Sequence, residues 1–529
     1  MLIEFGPCGL SLSLKADFSI EKFGIKMYIP DEKTFLKLTQ KGNLIPVYCE
    51  IMGDLDTPVS AYFKIASQTR YAFLLESVEG EEKVARYSFL AKDPELLLRS
   101  RGSLAEIHRL HNGQIFQEKK SVTSTPLEFI REIMASYRFV PVPGLPRFCG
   151  GLIGYLSYDI VRFFERLPER TVDDLHLPDM LMVLAKKLII FDHLNHNMKI
   201  VNCVHVDPQS SKGTQRKAYR RAIQELKGLI QELNQPLPGK KDRLYFHAEN
   251  SKSLQPRSNL SEERFKQIVK KAKKDIRAGE IIQVVLSQRF VVPVKTDPFN
   301  IYRALRSLNP SPYMYYLHWG KFQIIGSSPE LLVRCENGLV ETRPIAGTRP
   351  RGKDEKEDEQ LKQDLLNDPK EKAEHIMLVD LGRNDLGRVC RQGTVRVSEF
   401  MAIEKYSHVM HIVSNVTGQL KPGLDALDAL QAAFPAGTVS GAPKIRAMEI
   451  IEELEEVARG PYAGCVGYIS FSGNLDTCIT IRTIVVKDEK AYIQAGAGIV
   501  ADSKPAQEYR ETVNKAKAQI MAVALAHQS

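Results

Sequence analysis

Residues 261–290, SEERFKQIVKKAKKDIRAGEIIQVVLSQRF, hold a helix followed directly by a strand, and this unit decides the fold class. Ser261 is the expected N-cap, and apolar side chains recur at helical spacing from Phe265 to Ile276. Gly279 is expected to end the helix, because glycine readily adopts the left-handed conformation found at helix C-termini. The apolar run 281–290 then predicts a strand.

Strands and helices continue in both directions from this unit. Strands are predicted at 71–75, 148–158, 183–192, 198–205, 322–325, 331–334, 465–471, 477–486 and 491–495. Helices are predicted at 214–233, 369–381, 442–454 and 505–526. Because the two kinds of element do not alternate strictly, a Rossmann sheet is disfavoured. We therefore predict an α+β fold, a large two-layer antiparallel β-sandwich flanked by helices.

Polar residues and prolines dominate residues 234–259, which predicts a linker between two domains at 27–233 and 260–529. Residues 1–26 look unlike the rest of the chain, and patterned sequence begins near Met27. We therefore treat residues 1–26 as a separate N-terminal extension.

The composition is that of an ordinary globular protein, with 529 residues, 43% hydrophobic and 26% charged. These values exclude a disordered, collagen-like or coiled-coil chain. The formal net charge of +9 is mild for this length. With a single Trp and no stripe of basic and aromatic residues, no nucleic-acid binding is expected.

Cysteine usage and hydropathy predict a cytoplasmic location. The eight cysteines include no C-x-x-C pair, which gives no zinc or redox motif and is typical of a reducing compartment. No apolar run reaches the roughly 18 residues that suggest a membrane span. The N-terminus also lacks the basic stretch of a secretory signal, so no membrane association is predicted.

Acidic residues on two predicted helices are the first candidate ligands. Asp368 is followed by a helix on which Glu371 and Glu374 share a face with Leu378, so partial burial of the carboxylates is expected. A buried carboxylate needs a partner or a metal. The alternative is a surface helix with salt bridges.

A second acidic helix follows a Gly-Ala-Gly segment at 496–498, which we predict to be an anion-binding turn. Glu508 and Glu511 lie one turn apart on this helix. Carboxylates from two helices suit Mg²⁺, which takes few protein ligands and lets substrate complete its shell. The alternative is a glycine turn followed by a solvated helix.

Three arginines, Arg343, Arg349 and Arg351, lie in a loop with Gly and Pro, and such a loop suits a carboxylate-bearing ligand. A basic surface loop is the alternative. Glu330 and His411 are acid–base candidates by residue type alone, and a lone His is more often structural.

These segments, taken in order, resemble the chorismate-binding enzymes, and within them anthranilate synthase component I. The resemblance extends from about Met27 to the C-terminus. It rests on the strings 283–290 (QVVLSQRF), 309–314 (NPSPYM), 326–330 (GSSPE), 343–352 (RPIAGTRPRG), 374–381 (EHIMLVDL), 437–444 (GTVSGAPK) and 496–500 (GAGIV). It implies an N-terminal component I domain at 27–233 and a chorismate-binding catalytic domain at 260–529.

The resemblance implies roles for individual residues. Glu330 would be the general acid at the departing C4 hydroxyl of chorismate, and His411 would assist the later elimination of pyruvate. Thr438 matches an active-site threonine. Glu374 and Glu511 would hold Mg²⁺, with Glu508 in support. Substrate-binding positions are matched by Gly347, Thr348, Tyr462, Arg482, Gly496, Ala497 and Gly498.

Two positions indicate which nucleophile attacks the ring. Relatives that add water carry a lysine at the position of Gln283, and aminodeoxychorismate synthases carry a ring-attacking lysine at the position of Ala346. Neither residue here can perform those steps, which favours direct amination by ammonia. The alternatives are an aminodeoxychorismate synthase component I of the folate pathway and a non-catalytic basic binding protein.

The ammonia source and the regulation are also implied. No cysteine lies in the glycine-rich elbow of a glutamine amidotransferase, so a separate amidotransferase subunit is predicted, in a heterotetramer of two large and two small subunits. A tryptophan-inhibitor site is matched by Ser77, Arg86, Pro312, Tyr313 and Met314. The alternative is that Ser77 ends a core strand and Tyr313 fills the core.

Overall fold

A computed structural model of the chain describes residues 27–78, 86–111, 114–122, 125–238, 244, 254–406 and 409–527. The predicted extension 1–26 and most of the predicted linker 234–259 lie outside these ranges.

The α-helices among these residues are α1 (Glu32–Leu38), α2 (Pro58–Ile65), α3 (Pro126–Ala135), α4 (Lys212–Leu233), α5 (Glu262–Arg277), α6 (Pro298–Leu308), α7 (Glu355–Asn367), α8 (Pro369–Val389), α9 (Ala426–Ala433), α10 (Lys444–Leu454) and α11 (Pro505–Ala526). Short 3₁₀ helices occur at Tyr158–Phe163 and Gly437–Val439. In the part of the chain described, no helix is long and apolar enough to cross a membrane.

The strands among these residues are β1 (Leu44–Met52), β2 (Tyr71–Glu76), β3 (Tyr87–Lys92), β4 (Leu96–Arg101), β5 (Leu104–His111), β6 (Gln114–Val122), β7 (Gly151–Leu156), β8 (Met180–Ala185), β9 (Lys187–Asp192), β10 (Asn197–His205), β11 (Arg257–Ser258), β12 (Gln283–Pro293), β13 (Tyr313–Trp319), β14 (Phe322–Ser328), β15 (Leu331–Glu336), β16 (Leu339–Thr342), β17 (Ile345–Pro350), β18 (Arg396–Lys405), β19 (Val409–Gln419), β20 (Gly441–Ala442), β21 (Cys465–Ser470), β22 (Leu475–Ile479), β23 (Thr483–Lys487) and β24 (Lys490–Ile499).

These strands form two 12-stranded sheets. Sheet A has the order β1-β10-β9-β3-β2-β13-β14-β23-β24-β12-β11, and β20 also pairs with β12. Sheet B has the order β17-β19-β16-β15-β22-β21-β7-β8-β4-β5-β6, and β18 also pairs with β19. The sheets pack on each other through aromatic side chains, as where Tyr155 of β7 meets Phe322 of β14 with ring centroids 6.2 Å apart. The predicted α+β antiparallel sandwich is confirmed.

The unit at 261–290 forms as the sequence predicts. The Ser261 hydroxyl accepts a hydrogen bond from the Arg264 amide at the start of α5. Phe265 and Ile268 are fully buried on the inner face of the helix. Gly279 has φ +80°, the left-handed conformation that ends the helix before β12.

Both halves of the chain contribute to both sheets. Strand β2 pairs with β13 in sheet A, and β7 pairs with β21 in sheet B. The linker therefore does not separate one sheet from the other. The division into domains at 27–233 and 260–529 stays a prediction about folding units.

Two strands predicted as continuous are each divided between the sheets. The run 183–192 becomes the end of β8 in sheet B and β9 in sheet A, with the crossing at Lys186. The run 477–486 becomes part of β22 in sheet B and β23 in sheet A, and Arg482 at this crossing has φ +53°. Lys186 and Lys187 interrupt the first run and Arg482 interrupts the second, but a charged position does not by itself show that the chain passes from one sheet to the other.

Candidate active site

Glu330 lies in the short connection between β14 and β15, where its side chain is buried. Burial raises the pKa of this carboxyl to about 8, although the Thr438 hydroxyl, the Lys515 ammonium and the Ile345 backbone each lower it. Glu330 therefore holds a proton at neutral pH, as a general acid requires. Thr438, in the 3₁₀ turn Gly437–Val439, is its neighbour, and the buried Thr438 hydroxyl makes no hydrogen bond to the described residues.

His411 lies on β19 and faces the bulged strand β17. Its Nδ1 donates to the Gly347 carbonyl at 2.9 Å and lies 3.1 Å from the Thr348 hydroxyl. Burial lowers the pKa of His411, and nearby Arg482 lowers it further. A neutral imidazole with its proton on Nδ1 has its lone pair on Nε2, so His411 can accept a proton there.

Carboxylates from α8 and α11 form an acidic cluster. Burial raises the pKa of Glu374, and the negative charges of Glu371 and Glu511 raise it further. Burial also raises the pKa of Glu508, with Glu511 adding to it. Gln283 on β12 donates to Glu374 at 3.3 Å. Such mutual repulsion between hard oxygen ligands is relieved by a divalent cation, so the donor set fits Mg²⁺.

The charges of these carboxylates interact, but the carboxylates do not form a closed set of direct ligands. Within the described ranges, three potential ligand atoms come within 4.8 Å of one another only at Glu106, His108 and Glu118. That group lies on β5 and β6 at the edge of sheet B, and Lys120 already pairs with its two carboxylates.

Lys515 was missed by the sequence analysis. Its ammonium lies 2.6 Å from Glu511 and donates to the Gly496 carbonyl at 3.1 Å. It also lowers the pKa of Glu330, so it links the acidic cluster to the acid. The available signal was its position four residues after Glu511 on a predicted helix. The sequence analysis also did not assign Glu371 as a metal ligand, although it placed Glu371 on the same face of α8 as Glu374.

Arg482 and Tyr462, which we call the substrate wall, lie near each other, and Arg482 is close enough to His411 to lower its pKa. Arg482 donates to the Lys515 carbonyl at 2.6 Å and is buried enough for its pKa to be lowered, with Tyr462 and Glu511 opposing that shift. Burial raises the pKa of the Tyr462 hydroxyl to about 12. A buried guanidinium beside a neutral phenol suits a carboxylate of the substrate.

Residues 496–498 correct one prediction. They were expected in an anion-binding turn, but they continue β24 and pair with β12. A Cβ on Gly496 would lie 2.6 Å from the Tyr462 hydroxyl, and one on Gly498 would lie 2.6 Å from Gln283 Nε2. Ala497, between them, is fully buried. The two glycines are thus required by close approach of side chains, not by a turn.

The three loop arginines correct a second prediction. Arg343 pairs with Glu399 and Glu404. Arg349 pairs with Asp364 of α7, with Asp368 and with Glu371 of α8, and Arg351 pairs with the buried Asp358. Since each guanidinium already has carboxylate partners, this loop is braced by ion pairs instead of presenting cations to a ligand.

The five residues predicted for the inhibitor line one cavity of about 410 Å³ between the sheets; they are Ser77, Arg86, Pro312, Tyr313 and Met314. The Ser77 hydroxyl is buried and makes no hydrogen bond to the described residues. Arg86 donates two hydrogen bonds to Asp192, at 2.8 and 3.0 Å, so its charge is already matched.

A polar network forms another part of the cavity wall and was not predicted. Tyr313 donates to Asp476 at 2.9 Å, and Asp476 also accepts from Arg147 and Arg334 at 2.9 and 3.0 Å. These residues are scattered along the sequence, so only the folded chain brings them together.

The sequence matches the family described as chorismate binding enzyme over residues 79–521. Anthranilate synthase component 1 of Acetivibrio thermocellus is 49% identical over 498 residues, which cover 94% of this chain and 99% of that protein. The protein of the same name from Aquifex aeolicus is 50% identical over 496 residues, covering 93% and 97%.

The crystal structure of anthranilate synthase component I from Streptococcus pneumoniae TIGR4 has a TM-score of 0.71 and 39% identity, covering 89% of this chain and 99% of that one. Identity at this level extends over nearly the whole of both sequences. The chain therefore belongs to the chorismate-binding enzyme family and, within it, to the anthranilate synthase component 1 proteins.

Proposed function

We propose that this chain converts chorismate and ammonia to anthranilate, pyruvate and water, the first committed step of tryptophan biosynthesis. The observation that carries the proposal is Glu330, a buried carboxyl whose pKa of about 8 keeps it protonated near Lys515, which pairs with Glu511 of the acidic cluster. Its proton would leave with the C4 hydroxyl as water while ammonia attacks C2.

His411 would act in the second stage, in which the amino intermediate loses pyruvate and becomes aromatic. Its neutral imidazole can accept the ring proton at Nε2, because Nδ1 is held by the Gly347 carbonyl. Arg482 and Tyr462 would orient the substrate, and Gly496 lets the Tyr462 hydroxyl approach the β24 backbone closely.

Mg²⁺ is the proposed cofactor, held by Glu374 and Glu511 with Glu371 and Glu508 in support. When bound, it would supply the counter-charge to the ring carboxylate of the substrate. The raised pKa of Glu374 supports this assignment, because that carboxylate lacks sufficient positive charge around it.

Ammonia would come from glutamine through a separate amidotransferase subunit in a heterotetramer. All seven cysteines of the described residues are buried free thiols, which argues against a glutaminase nucleophile among them. Free thiols also suit the proposed cytoplasmic location.

Gln283 and Ala346 support amination over the alternatives. Gln283 donates to Glu374 and has no basic group with which to activate water. Ala346 on β17 has no amine with which to attack the ring, as an aminodeoxychorismate synthase of the folate pathway would require.

L-Tryptophan is the proposed inhibitor, bound in the cavity lined by Ser77 and Tyr313. The cavity is of a size for an amino acid and is lined by both apolar and charged groups. Asp476 of its wall lies on β22, whose last residue, Ile479, donates to the Glu330 carbonyl at 3.0 Å. A shift at the cavity could therefore reach the acid.

The product identifies the activity. Purified chain is incubated with chorismate, Mg²⁺ and ammonium, and the product is followed by anthranilate fluorescence and chromatography. We expect anthranilate. Accumulation of an aminodeoxychorismate without anthranilate would support the folate-pathway alternative, and no conversion of chorismate would contradict the proposal.

A further inference from the structure

Arg459 lies in the segment between α10 and β21, behind the candidate substrate wall. Its side chain is 3% exposed, and it forms a buried ion pair with Glu455, which is 6% exposed. Two N–H groups of Arg459 donate to the two carboxylate oxygens of Glu455, at 2.7 and 3.0 Å. The pair is therefore bidentate and fixed in orientation.

The remaining donors of Arg459 connect two other elements of the site. Nη1 donates to the Val439 carbonyl and Nη2 to the Val285 carbonyl, each at 2.7 Å. Val439 directly follows Thr438, the neighbour of Glu330. Val285 lies on β12 opposite Gly498.

The guanidinium also packs between two aromatic rings. Its central carbon lies 4.9 Å from the Tyr158 ring centroid and 5.6 Å from that of Tyr462. Arg459 also lowers the pKa of the Tyr462 hydroxyl, against the effect of burial. Arg459 therefore contacts the very side chain that faces Gly496 across the substrate wall.

Glu455 extends the same network to β24. It accepts hydrogen bonds from both the amide and the hydroxyl of Ser287, each at 2.8 Å. Ser287 pairs with Gly496 in the sheet, and its hydroxyl accepts from Gln494 at 2.8 Å.

We propose that Arg459, held by Glu455, is a positioning residue for the proposed reaction. It sets the Thr438 turn, the Tyr462 ring and the glycine segment of β24 in one arrangement. This inference rests on the proposed function.

A buried ion pair is not needed for stability as such, because apolar or neutral replacement of both partners is often neutral or stabilising. The four hydrogen bonds that Arg459 donates and its contacts with the Tyr158 and Tyr462 rings indicate instead that it fixes the positions of neighbouring site residues. Catalytic rates depend strongly on such precision, since a misplacement of about 1 Å can cost about 10²-fold.

The test separates positioning from stability with a paired substitution. In the double variant Glu455→Gln and Arg459→Met, the glutamine still accepts from Ser287 and no unpaired charge is buried. The Val285 and Val439 carbonyls lose their donor, so thermal stability should fall, but the variant should still fold. Arg459→Lys keeps the positive charge but loses the planar, bidentate guanidinium, and it is measured in parallel. Arg446→Met, on the exposed side of α10, is the control.

The measurement compares the change in KM for chorismate with the change in KM for ammonium. For both Arg459 variants we expect KM for chorismate to rise at least about tenfold, and KM for ammonium to stay within about twofold. The Arg446 control should match the wild type. If the double variant does not fold, the two KM values of Arg459→Lys alone test the inference.

A folded double variant with unchanged kcat/KM for chorismate would overturn the inference, as would equal changes in both KM values. The wild type is assayed first, so its failure to form anthranilate would count against the proposed function alone. In that case chorismate binding by calorimetry, without ammonium, tests Arg459: unchanged affinity in both variants contradicts the inference.

Discussion

At the scale of single residues, two glutamates have different proposed roles because their surroundings differ. Glu330 is buried close to few charges, so its proton is retained to about pH 8. Glu374 is buried near other carboxylates, which raises its pKa, so it is the proposed cation ligand. The resemblance to known enzymes suggested both roles, but the sequence around each glutamate could not predict its burial, because the covering residues come from distant segments.

Glu330→Gln removes the transferable proton and keeps the shape of the side chain. We expect turnover with ammonium to fall at least about 10²-fold, because general acid catalysis is lost. Steady-state rates at saturating chorismate measure the effect. Retention of wild-type turnover would exclude Glu330 as the acid.

The same substitution should change the pH dependence of stability. The folded state holds this proton to about pH 8, whereas the unfolded carboxyl loses it near its ordinary pKa of 4.5. Wild-type stability should therefore fall as pH rises between these values, by an amount on the order of a few kcal/mol. Glu330→Gln should be the more stable protein above pH 8 in denaturant unfolding, and an unchanged pH profile would show that Glu330 is ionised when folded.

Glu374→Gln tests the metal site. Loss of one ligand charge should raise the Mg²⁺ concentration needed for half-maximal turnover, and lower turnover by orders of magnitude at low Mg²⁺. Glu263→Gln, an exposed residue of α5, is the matched control. Equal Mg²⁺ dependence in both variants would remove Glu374 from the ligand set.

At the scale of elements, the bounds of helix α11 were predicted better than those of the strands that pass between the sheets. Helix α11 spans the predicted residues 505–526, because its apolar face repeats with helical period. Strands β8 and β9, and β22 and β23, were each predicted as one, since a buried run carries no mark of the sheet to which it belongs. Arg482, the proposed substrate-binding residue, lies at one of those crossings.

The inhibitor cavity also depends on elements from both halves, β2 and β13. Ser77→Phe places a ring into this cavity beside Tyr313, so the tryptophan concentration for half inhibition should rise by at least about tenfold, with uninhibited turnover little changed. Inhibition curves at fixed chorismate measure the shift. Loss of turnover with unchanged residual sensitivity to tryptophan would show instead that Ser77 serves only the core.

At the scale of the whole molecule, the fold class followed from the mixture of strands and helices, but the topology did not. Each sheet combines strands more than 150 residues apart in sequence, such as Leu75 beside Tyr315 and Leu156 beside Cys465. Local patterns cannot specify such pairings. The candidate site also combines distant segments, because Lys515 of α11 lowers the pKa of Glu330, which lies between β14 and β15.

The most direct test of the whole account compares two nitrogen sources with the purified chain alone. With chorismate, Mg²⁺ and ammonium at high pH, where free ammonia is abundant, we predict anthranilate and pyruvate in equal amounts. With glutamine in place of ammonium, and no second protein, we predict neither product. Turnover supported by glutamine, or ammonium-dependent consumption of chorismate without anthranilate, would contradict the account.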